Sequence, residues 1–460
     1  MFLRVLAFLF IATLTAPAVA GDGEAIVFQN VRVLTMTDEG VLEGASVTVE
    51  GDTITAIAEN VGEGEIPEGA NVVDGTDMTL MPGLADMHVH YWSEVQGPLF
   101  LANSVTTLRN MWGSSQTLIL DATAKRGSYA GPHIYTPGPL MDGPNPIWGQ
   151  GSAMISSPEQ AVGAVESQRT TGYTAVKLYE GLTPDIYVAA VEAAQARDMQ
   201  VYTHVPEDMT VEDVLALGVD SIEHFEGVSS AATTAGEGAR YMARWASADI
   251  DRLQEIAAAS AESGVWHSPT FSVIAVRYEY AADPDAFFAM PESGYVSPGL
   301  GDWWRASAQR MGAFDEQKQI ATENQRAFAR MLYDAGAPML IGTDTPNPFV
   351  LPGFAIHDEL EAFIDVGIPV DEVLRMATAD AAKFLREEGE WGVVAVGARA
   401  DLVLLDADPR QDLSTLRRPA GVVMNGHWYD AGFLEAELRE IRQAVEAEAA
   451  AAAAEEAGAQ

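Results

Sequence analysis

The chain has no cysteine and few basic residues, and both shortages exclude classes of function. Without cysteine it can form no disulfide, offer no thiolate to a metal and use no thiol nucleophile. Lysine and arginine number 26 against 67 acidic residues, which gives a formal net charge of −41. Because nucleic acids and anionic membrane surfaces are also negatively charged, neither is an expected partner. No Gly-x-Ser-x-Gly motif occurs, so a serine acyl-enzyme of that type is not indicated.

Long apolar runs are missing beyond residues 1–20, and that first stretch resembles an export signal. Arg4 precedes an apolar run from Val5 to Leu14, and Ala18-Val19-Ala20 forms a cleavage motif before Gly21. The run is short for a membrane span. We therefore expect an exported, periplasmic or secreted protein with no membrane attachment after cleavage. An uncleaved N-terminal anchor is the alternative.

Strand-like and helix-like patterns divide the rest of the chain. Short alternating runs occupy about 25–73 and return after residue 400, so we expect one small β-sandwich formed from both ends of the chain. Between them, strand-like runs alternate with helical ones, which favours a TIM (β/α)8 barrel. The expected barrel strands are Gly83–His90, Ser104–Asn110, His133–Thr136, Ala175–Tyr179, Val201–His204, Ser221–His224, Val265–Thr270 and Met339–Asp344. The predicted divisions are a signal at 1–20, sandwich parts at 21–82 and 393–432, the barrel at 83–392 and an acidic Ala/Glu-rich helix at 433–460.

The most informative motif is Pro82-Gly83-Leu84-Ala85-Asp86-Met87-His88-Val89-His90, at the end of the first barrel strand. Residues i and i+2 of a strand point to the same face, so His88 and His90 present two imidazoles side by side. Such a pair suits a metal ion, although two exposed histidines at a strand end would show the same pattern.

Other polar residues fall at the ends of later barrel strands, where the active sites of TIM barrels lie. Each has an ordinary alternative: a strand-end histidine, a surface lysine or a helix N-cap aspartate. Their occurrence in barrel order predicts a site for one or two divalent ions with room for water. The candidate ligands are His88, His90, Lys177, His204, His224 and Asp344.

These motifs, with Gly342-Thr343-Asp344-Thr345-Pro346 and the segment Ala400–Asp408, resemble the amidohydrolase superfamily in its prolidase-like and imidazolonepropionase-like branch. The resemblance runs from about residue 24 to 432. It implies that His88, His90 and Asp344 bind one metal and that His204 and His224 bind a second. Lys177 would bridge them as a carbamate. Two Zn²⁺ ions are expected, with Mn²⁺ or Co²⁺ as alternatives, and an unmodified Lys177 would leave a mononuclear site.

The resemblance and the chemistry also suggest catalytic and substrate-binding roles. Asp344 is expected to orient a water molecule and move its proton to the leaving nitrogen, while His267 or Tyr202 helps to polarise the scissile carbonyl. The aromatic segment from Phe271 to Phe314 is expected to form a lid over an apolar pocket, with an ordinary amphipathic helix packed on the barrel as the alternative. The candidate substrate contacts are Arg109, Arg277, Arg305, Trp303 and Trp304. Asn110 departs from an Arg-Asp pair common in relatives, which weakens the assignment of Arg109.

The favoured function is a metal-dependent amidohydrolase that cleaves C–N bonds of a dipeptide or an N-acyl amino acid by metal-activated hydroxide. Hydrolysis of a cyclic amide, imine or lactone is the second interpretation. A non-catalytic barrel that binds a ligand is the third. In each case the expected partner is a small molecule, and a homo-oligomer is compatible with the sequence.

Overall fold

The computed structural model describes residues 24–59 and 66–458. The expected export signal at 1–20 lies outside these residues. The strands are β1 Ile26–Leu34, β2 Val41–Glu50, β3 Thr53–Glu59, β4 Asn71–Asp74, β5 Thr79–Pro82, β6 Leu84–Val89, β7 Val105–Asn110, β8 His133–Tyr135, β9 Met141–Asp142, β10 Ala153–Met154, β11 Ala175–Leu178, β12 Gln200–Thr203, β13 Ser221–Glu223, β14 Trp266–Ser268, β15 Leu402–Leu405, β16 Gly421–Met424 and β17 His427–Asp430.

The helices alternate with the strands through the middle of the chain. They are α1 Gly97–Leu101, α2 Ser115–Ala124, α3 Pro158–Thr171, α4 Pro184–Gln195, α5 Val211–Ala216, α6 Val228–Ala232, α7 Tyr241–Ala246, α8 Ile250–Ser263, α9 Arg277–Ala282, α10 Pro284–Phe288, α11 Pro298–Met311, α12 Glu316–Ala335, α13 Ala355–Asp365, α14 Val370–Met376, α15 Ala379–Phe384 and α16 Ala431–Gly458. Within the part of the chain that the structure describes, no helix combines the length and apolarity needed to cross a membrane.

Both ends of the chain contribute strands to one eight-stranded sheet, as the sequence predicts. Its order is β17-β16-β15-β5-β1-β2-β3, with β4 also paired to β1. The two ends join where β15 runs antiparallel to β5. Apolar residues of both ends, such as Phe28, Val47 and Leu402, are buried together in its core. This small domain can therefore form only when the strands from both ends of the chain, β1–β5 and β15–β17, come together.

The barrel closes through seven short parallel strands and one further segment, residues 339–345. The strands β6, β7 and β8 pair in order, and so do β11, β12, β13 and β14. A bridge between Pro137 and Ala175 joins the two groups. Bridges from Met339 to His267 and from Thr345 to Val89 insert the last segment between β14 and β6. The closed circle of eight is the arrangement predicted from the alternating pattern.

The contact between the first strand and the last segment is tight and polar. Both the backbone N–H and the hydroxyl of Thr343 donate to the carboxylate of Asp86, at 2.9 Å and 2.7 Å. Gly342 allows this approach, because a Cβ at that position would lie 2.8 Å from the Cβ of His88. These contacts fix the ends of both strands, where candidate ligands lie.

The aromatic segment after β14, predicted to form either a lid or an amphipathic packing helix, packs largely on itself. It folds into a π-helical turn, Ser272–Val276, followed by α9, α10 and α11. Its rings pack against one another and against Phe349 and Leu351, and form a hydrophobic cluster of their own. Aromatic residues in an amphipathic helix can either line a pocket or pack against neighbouring helices. Here they pack against neighbouring helices.

Candidate metal centre

Four histidines and one aspartate meet at the end of the barrel where the parallel strands terminate. His88 lies near the end of β6 and His90 just beyond it, while His204 and His224 directly follow β12 and β13. The His88 ring centroid is 5.9 Å from that of His90 and 4.6 Å from that of His224. The His204 and His224 centroids are 5.0 Å apart. The structure thus brings together all four histidines that the sequence assigns to metal binding.

Left-handed backbone conformations aim two of these side chains. His224 has φ of 56° and Asp344 has φ of 60°. Strand alternation alone would point His224 away from the face that Glu223 occupies, so the turn after β13 redirects it. Such conformations cost non-glycine residues ~1–3 kcal/mol each and cluster at functional sites.

Three of the histidines have Nδ1 held by a partner outside the cluster. His88 Nδ1 lies 2.7 Å from Glu223 Oε2, and His204 Nδ1 lies 2.8 Å from Glu180 Oε1. His224 Nδ1 lies 2.6 Å from Thr270 Oγ1. Metal-binding histidines use their second nitrogen in this way, which fixes the tautomer and leaves Nε2 free to bind.

Asp344 lies between the histidines, and its two oxygens face different ones. Oδ1 is 2.9 Å from His90 Nε2 and 3.6 Å from His88 Nε2, while Oδ2 is 3.8 Å from His224 Nε2. Ligand atoms around a tetrahedral zinc ion are about 3.4 Å apart, given bonds of about 2.1 Å. The spacing therefore suits a divalent ion.

Lys177 reaches the same region from inside the barrel. Its side chain is buried, and Nζ has no hydrogen-bond partner among the described residues. Burial lowers the pKa of Lys177 to about 8, against an opposing effect of Glu223. An amine left without partners beside this cluster is unusual, since buried polar groups are normally satisfied.

The residues fit a divalent metal. Burial holds the pKa of His88, His204 and His224 below the usual range, so these imidazoles are neutral near pH 7, the form that binds metal. His204 Nε2 is buried and, like Lys177 Nζ, has no hydrogen-bond partner in the described part of the chain. Nitrogen and carboxylate donors without thiolate suit Zn²⁺, Mn²⁺ or Co²⁺.

Arg109, predicted as an anchor for a substrate carboxylate, pairs with a buried glutamate of the protein itself. It is fully buried and donates to Glu223 through Nη2, at 2.9 Å and 3.1 Å, and to Ser221 Oγ at 2.8 Å. Glu223 in turn holds His88. Arg109 is thus linked to the candidate metal ligand His88 through Glu223.

Tyr202 and His267 do not take the carbonyl-polarising positions predicted for them. The Tyr202 hydroxyl donates to Gln200 Oε1 at the start of β12, and its ring packs under the Arg109 guanidinium. His267 pairs in register with Ile222 and therefore shares its outward face. Its ring packs near Phe225 and Phe328, and burial lowers its pKa to about 4.

The other predicted substrate contacts belong to the helical segment after β14. Trp304 is fully buried in the aromatic cluster of that segment, whereas Trp303 is exposed. Arg305 is exposed and pairs with Asp285 at 2.7 Å. Arg277 packs over the ring of its neighbour Tyr278. None of these four shows a contact with the candidate ligands among the described residues.

An acidic pair lies on one side of the centre and was missed by the sequence interpretation. Glu180 and Glu226 lie with His204 in a group whose ligand atoms are within 4.8 Å of one another. Burial, together with the charge of Glu180, raises the pKa of Glu226 to about 8. Metal-bound histidines commonly form a hydrogen bond to a carboxylate through their second nitrogen. This tendency is the signal that could have identified Glu180 and Glu223 as partners of the candidate ligands.

Thr270, which holds His224, is itself positioned by a buried carboxylate. Glu359 on α13 accepts hydrogen bonds from the backbone N–H groups of Phe271 and Ser272, at 2.9 Å and 2.8 Å. These bonds fix the turn in which Thr270 has φ of 54°. Nothing local in the sequence links Glu359 to this turn.

Comparison with known proteins agrees with this geometry. The chain is 24% identical over 427 residues to a 5-methylthioadenosine/S-adenosylhomocysteine deaminase of Caldanaerobacter subterraneus subsp. tengcongensis, across 84% of this chain and 87% of that protein. Bottromycin amidohydrolase superposes with a TM-score of 0.74 at 22% identity, across 91% of this chain and 90% of that one. A Xaa-Pro dipeptidase with bound methionine in its active site superposes with a TM-score of 0.65 at 20% identity, across 88% and 100%.

These structural likenesses show a common fold. The amidohydrolase family pattern itself matches residues 79–429, which include every candidate ligand and most of the chain. The chain belongs to the amidohydrolase family.

Proposed function

We propose that this hydrolase of C–N bonds cleaves the amide bond of a dipeptide or an N-acyl amino acid, and that it is exported. The observation that carries the proposal is the convergence of four histidines and Asp344 beside a buried Lys177 amine. That donor set suits two ions as well as one, and two-metal sites are common in hydrolases.

The metal would supply hydroxide near neutral pH and polarise the carbonyl, since bound water has a pKa of about 7 instead of 15.7. The chain supplies orientation and proton transfer. His88, His204 and His224 present Nε2 because Glu223, Glu180 and Thr270 hold the opposite nitrogen. Asp344 lies among these groups and would carry the proton from the attacking water to the departing nitrogen.

The choice of a peptide-like substrate is supported by the fold neighbours. One is named as an amidohydrolase and another as a Xaa-Pro dipeptidase with methionine bound in its active site. A deaminase also resembles this chain over most of its length, and deaminases likewise break a C–N bond. Release of ammonia from a deaminase substrate is therefore tested as the alternative to amide hydrolysis.

The proposal is tested with the purified chain beginning at Gly21, supplied with Zn²⁺ or Mn²⁺. It is offered dipeptides and N-acyl amino acids and, separately, cyclic amides, imines, lactones and aminopurine nucleosides. Release of free amino acid is the expected result, measured by mass spectrometry. Cleavage of cyclic amides, imines or lactones instead, or release of ammonia from aminopurine nucleosides, would contradict the peptide assignment. Export is checked separately by fractionating the producing cells and sequencing the N-terminus, which should begin at Gly21.

Lys177 is expected to determine the number of metals bound. Its low pKa leaves more neutral amine near pH 8 than an ordinary lysine has, and the neutral amine attacks CO2, loses a proton and becomes a carbamate. With bicarbonate present, the enzyme should bind about two metals per chain, while Lys177→Met should bind about one. Reconstitution at pH 6.5, where the amine is protonated, should be slower than at pH 8.5.

Metal content by elemental analysis and the mass of the intact protein decide this prediction. Lys125→Met, which removes an exposed lysine paired with Asp121, serves as the matched control. Equal metal content in the wild type and in Lys177→Met would show that Lys177 is not a ligand. The centre would then be assigned to the histidines and Asp344 alone.

A further inference from the structure

Three tryptophans and Tyr179 form an aromatic surface beside the candidate metal centre, and we call this surface the aromatic wall. Trp92 follows the first barrel strand, Trp112 follows the second, and Trp148 lies in the segment after the third. Trp92 is 53% exposed and Trp148 is 46% exposed. Isolated exposed tryptophans are ordinary, but these occur at the one end of the barrel where the histidines meet.

The rings form a continuous series from His90 to His204. The Trp92 ring stacks on His90 with a centroid distance of 6.3 Å, and the Trp112 ring meets the edge of His90 at 6.1 Å. Trp112 and Trp148 are 5.6 Å apart. Trp148 Nε1 donates to the hydroxyl of Tyr179 at 3.0 Å, and the Tyr179 ring stacks on His204 at 4.2 Å.

Two indole N–H groups of this wall already donate hydrogen bonds within the protein. Trp112 Nε1 donates to the carbonyl of Gly151 at 3.0 Å, so both indole N–H groups of Trp112 and Trp148 are satisfied. Gly151 is required for this packing, because a Cβ there would lie 2.1 Å from the Trp112 ring. Trp112 and Trp148 therefore offer a ligand the faces and edges of their rings.

We infer that the substrate carries a planar aromatic group next to the scissile amide, which binds against Trp92, Trp112 and Trp148. This inference rests on the proposed amide hydrolysis and specifies its substrate class. The contrast with the segment after β14 supports it: the aromatic rings there pack inward against Phe349 and Leu351. The wall is the aromatic surface that touches two candidate ligand histidines and remains partly open to solvent.

The test compares matched dipeptides that differ only in one side chain: phenylalanine, cyclohexylalanine or leucine. Aromatic pairing contributes ~0.5–1.5 kcal/mol beyond area burial, so the phenylalanine substrate should have a KM up to about 10-fold lower than that of the cyclohexyl substrate. Trp92→Leu should remove most of that difference in KM between the two substrates, since the aromatic contact with the substrate is lost. Trp92→Phe should retain the difference, and Ile119→Ala, an exposed apolar change on α2, should have no effect.

Binding without turnover separates this inference from the proposed function. Calorimetry with N-acetyl-phenylalanine and N-acetyl-leucine, carried out in the Asp344→Asn background so that neither compound is turned over, should show tighter binding of the aromatic compound, and adding Trp92→Leu should abolish the preference. If no amide is cleaved but this preference exists, amide hydrolysis is wrong and the aromatic site stands. If amides are cleaved with equal KM for phenylalanine and cyclohexylalanine, and Trp92→Leu changes neither, the aromatic site is wrong.

Discussion

Replacing Asp344 with asparagine is expected to lower kcat by at least about a thousandfold, because general acid–base catalysis contributes 10²–10⁴ and a metal contact is weakened as well. The carboxylate has one oxygen toward His88 and His90 and the other toward His224. Burial opposes its ionisation, but the nearby imidazoles, His88 foremost, hold the pKa of Asp344 well below its usual range. Asparagine keeps the shape and removes the group that would accept the proton.

The measurement is kcat on the best substrate, with metal content determined on the same sample. Asp358→Asn is the matched control, since Asp358 is a half-buried carboxylate on the following helix that accepts from Tyr280. The control should retain its turnover. If Asp344→Asn turned over at the wild-type rate with metal bound, another residue would have to move the proton.

Arg109→Met is expected to destabilise the protein by ~3–5 kcal/mol, because removing one partner leaves a buried charge uncompensated. Glu223 and Arg109 are both fully buried and joined by two hydrogen bonds. Without Arg109, Glu223 would have to gain a proton or attract a cation, and its hold on His88 Nδ1 would weaken. Metal affinity should therefore fall together with stability, by about 10–100-fold for the loss of such supporting contacts.

Denaturant unfolding and metal titration of the single and double variants test this account. Arg109→Met with Glu223→Gln should be less destabilised than the sum of the two single changes, since the double variant leaves no unpaired charge. Arg386→Met is the control, because that arginine is exposed in its pairs with Asp198 and Asp220. A substrate anchor would behave differently: KM would rise while the free energy of unfolding stayed the same. That outcome would restore the role predicted from the sequence.

The sequence predicts the barrel and the ligands because both depend on local patterns. Alternating apolar runs mark the strands, and the ends of parallel strands converge wherever a barrel closes. The observed β11, β12 and β13 begin and end within one residue of the predicted limits. His88, His204, His224 and Asp344 follow from that placement without further information.

The residues that support the ligands could not be predicted in the same way. Glu223 reaches His88 across 135 positions and Glu359 reaches Ser272 across 87, and no local pattern encodes such distances. The helical segment after β14 shows a second limit, since aromatic side chains in an amphipathic helix can face a ligand or a neighbouring helix. Arg109 shows a third limit of prediction from the sequence, since an arginine at the end of a strand can face either a substrate or a buried glutamate.

The contact that closes the barrel joins residues that are synthesised early to residues that are synthesised late. Thr343 bonds Asp86 across 257 positions, and Asp344 N–H donates to the carbonyl of His88 at 2.6 Å. A ribosome must therefore have passed residue 345 before His88 can meet Asp344. A nascent chain that has passed residue 90 but not residue 344 has the first histidine pair and lacks Asp344. The candidate metal centre can therefore be completed only after about three quarters of the chain has been synthesised, when the eighth segment is inserted into the barrel.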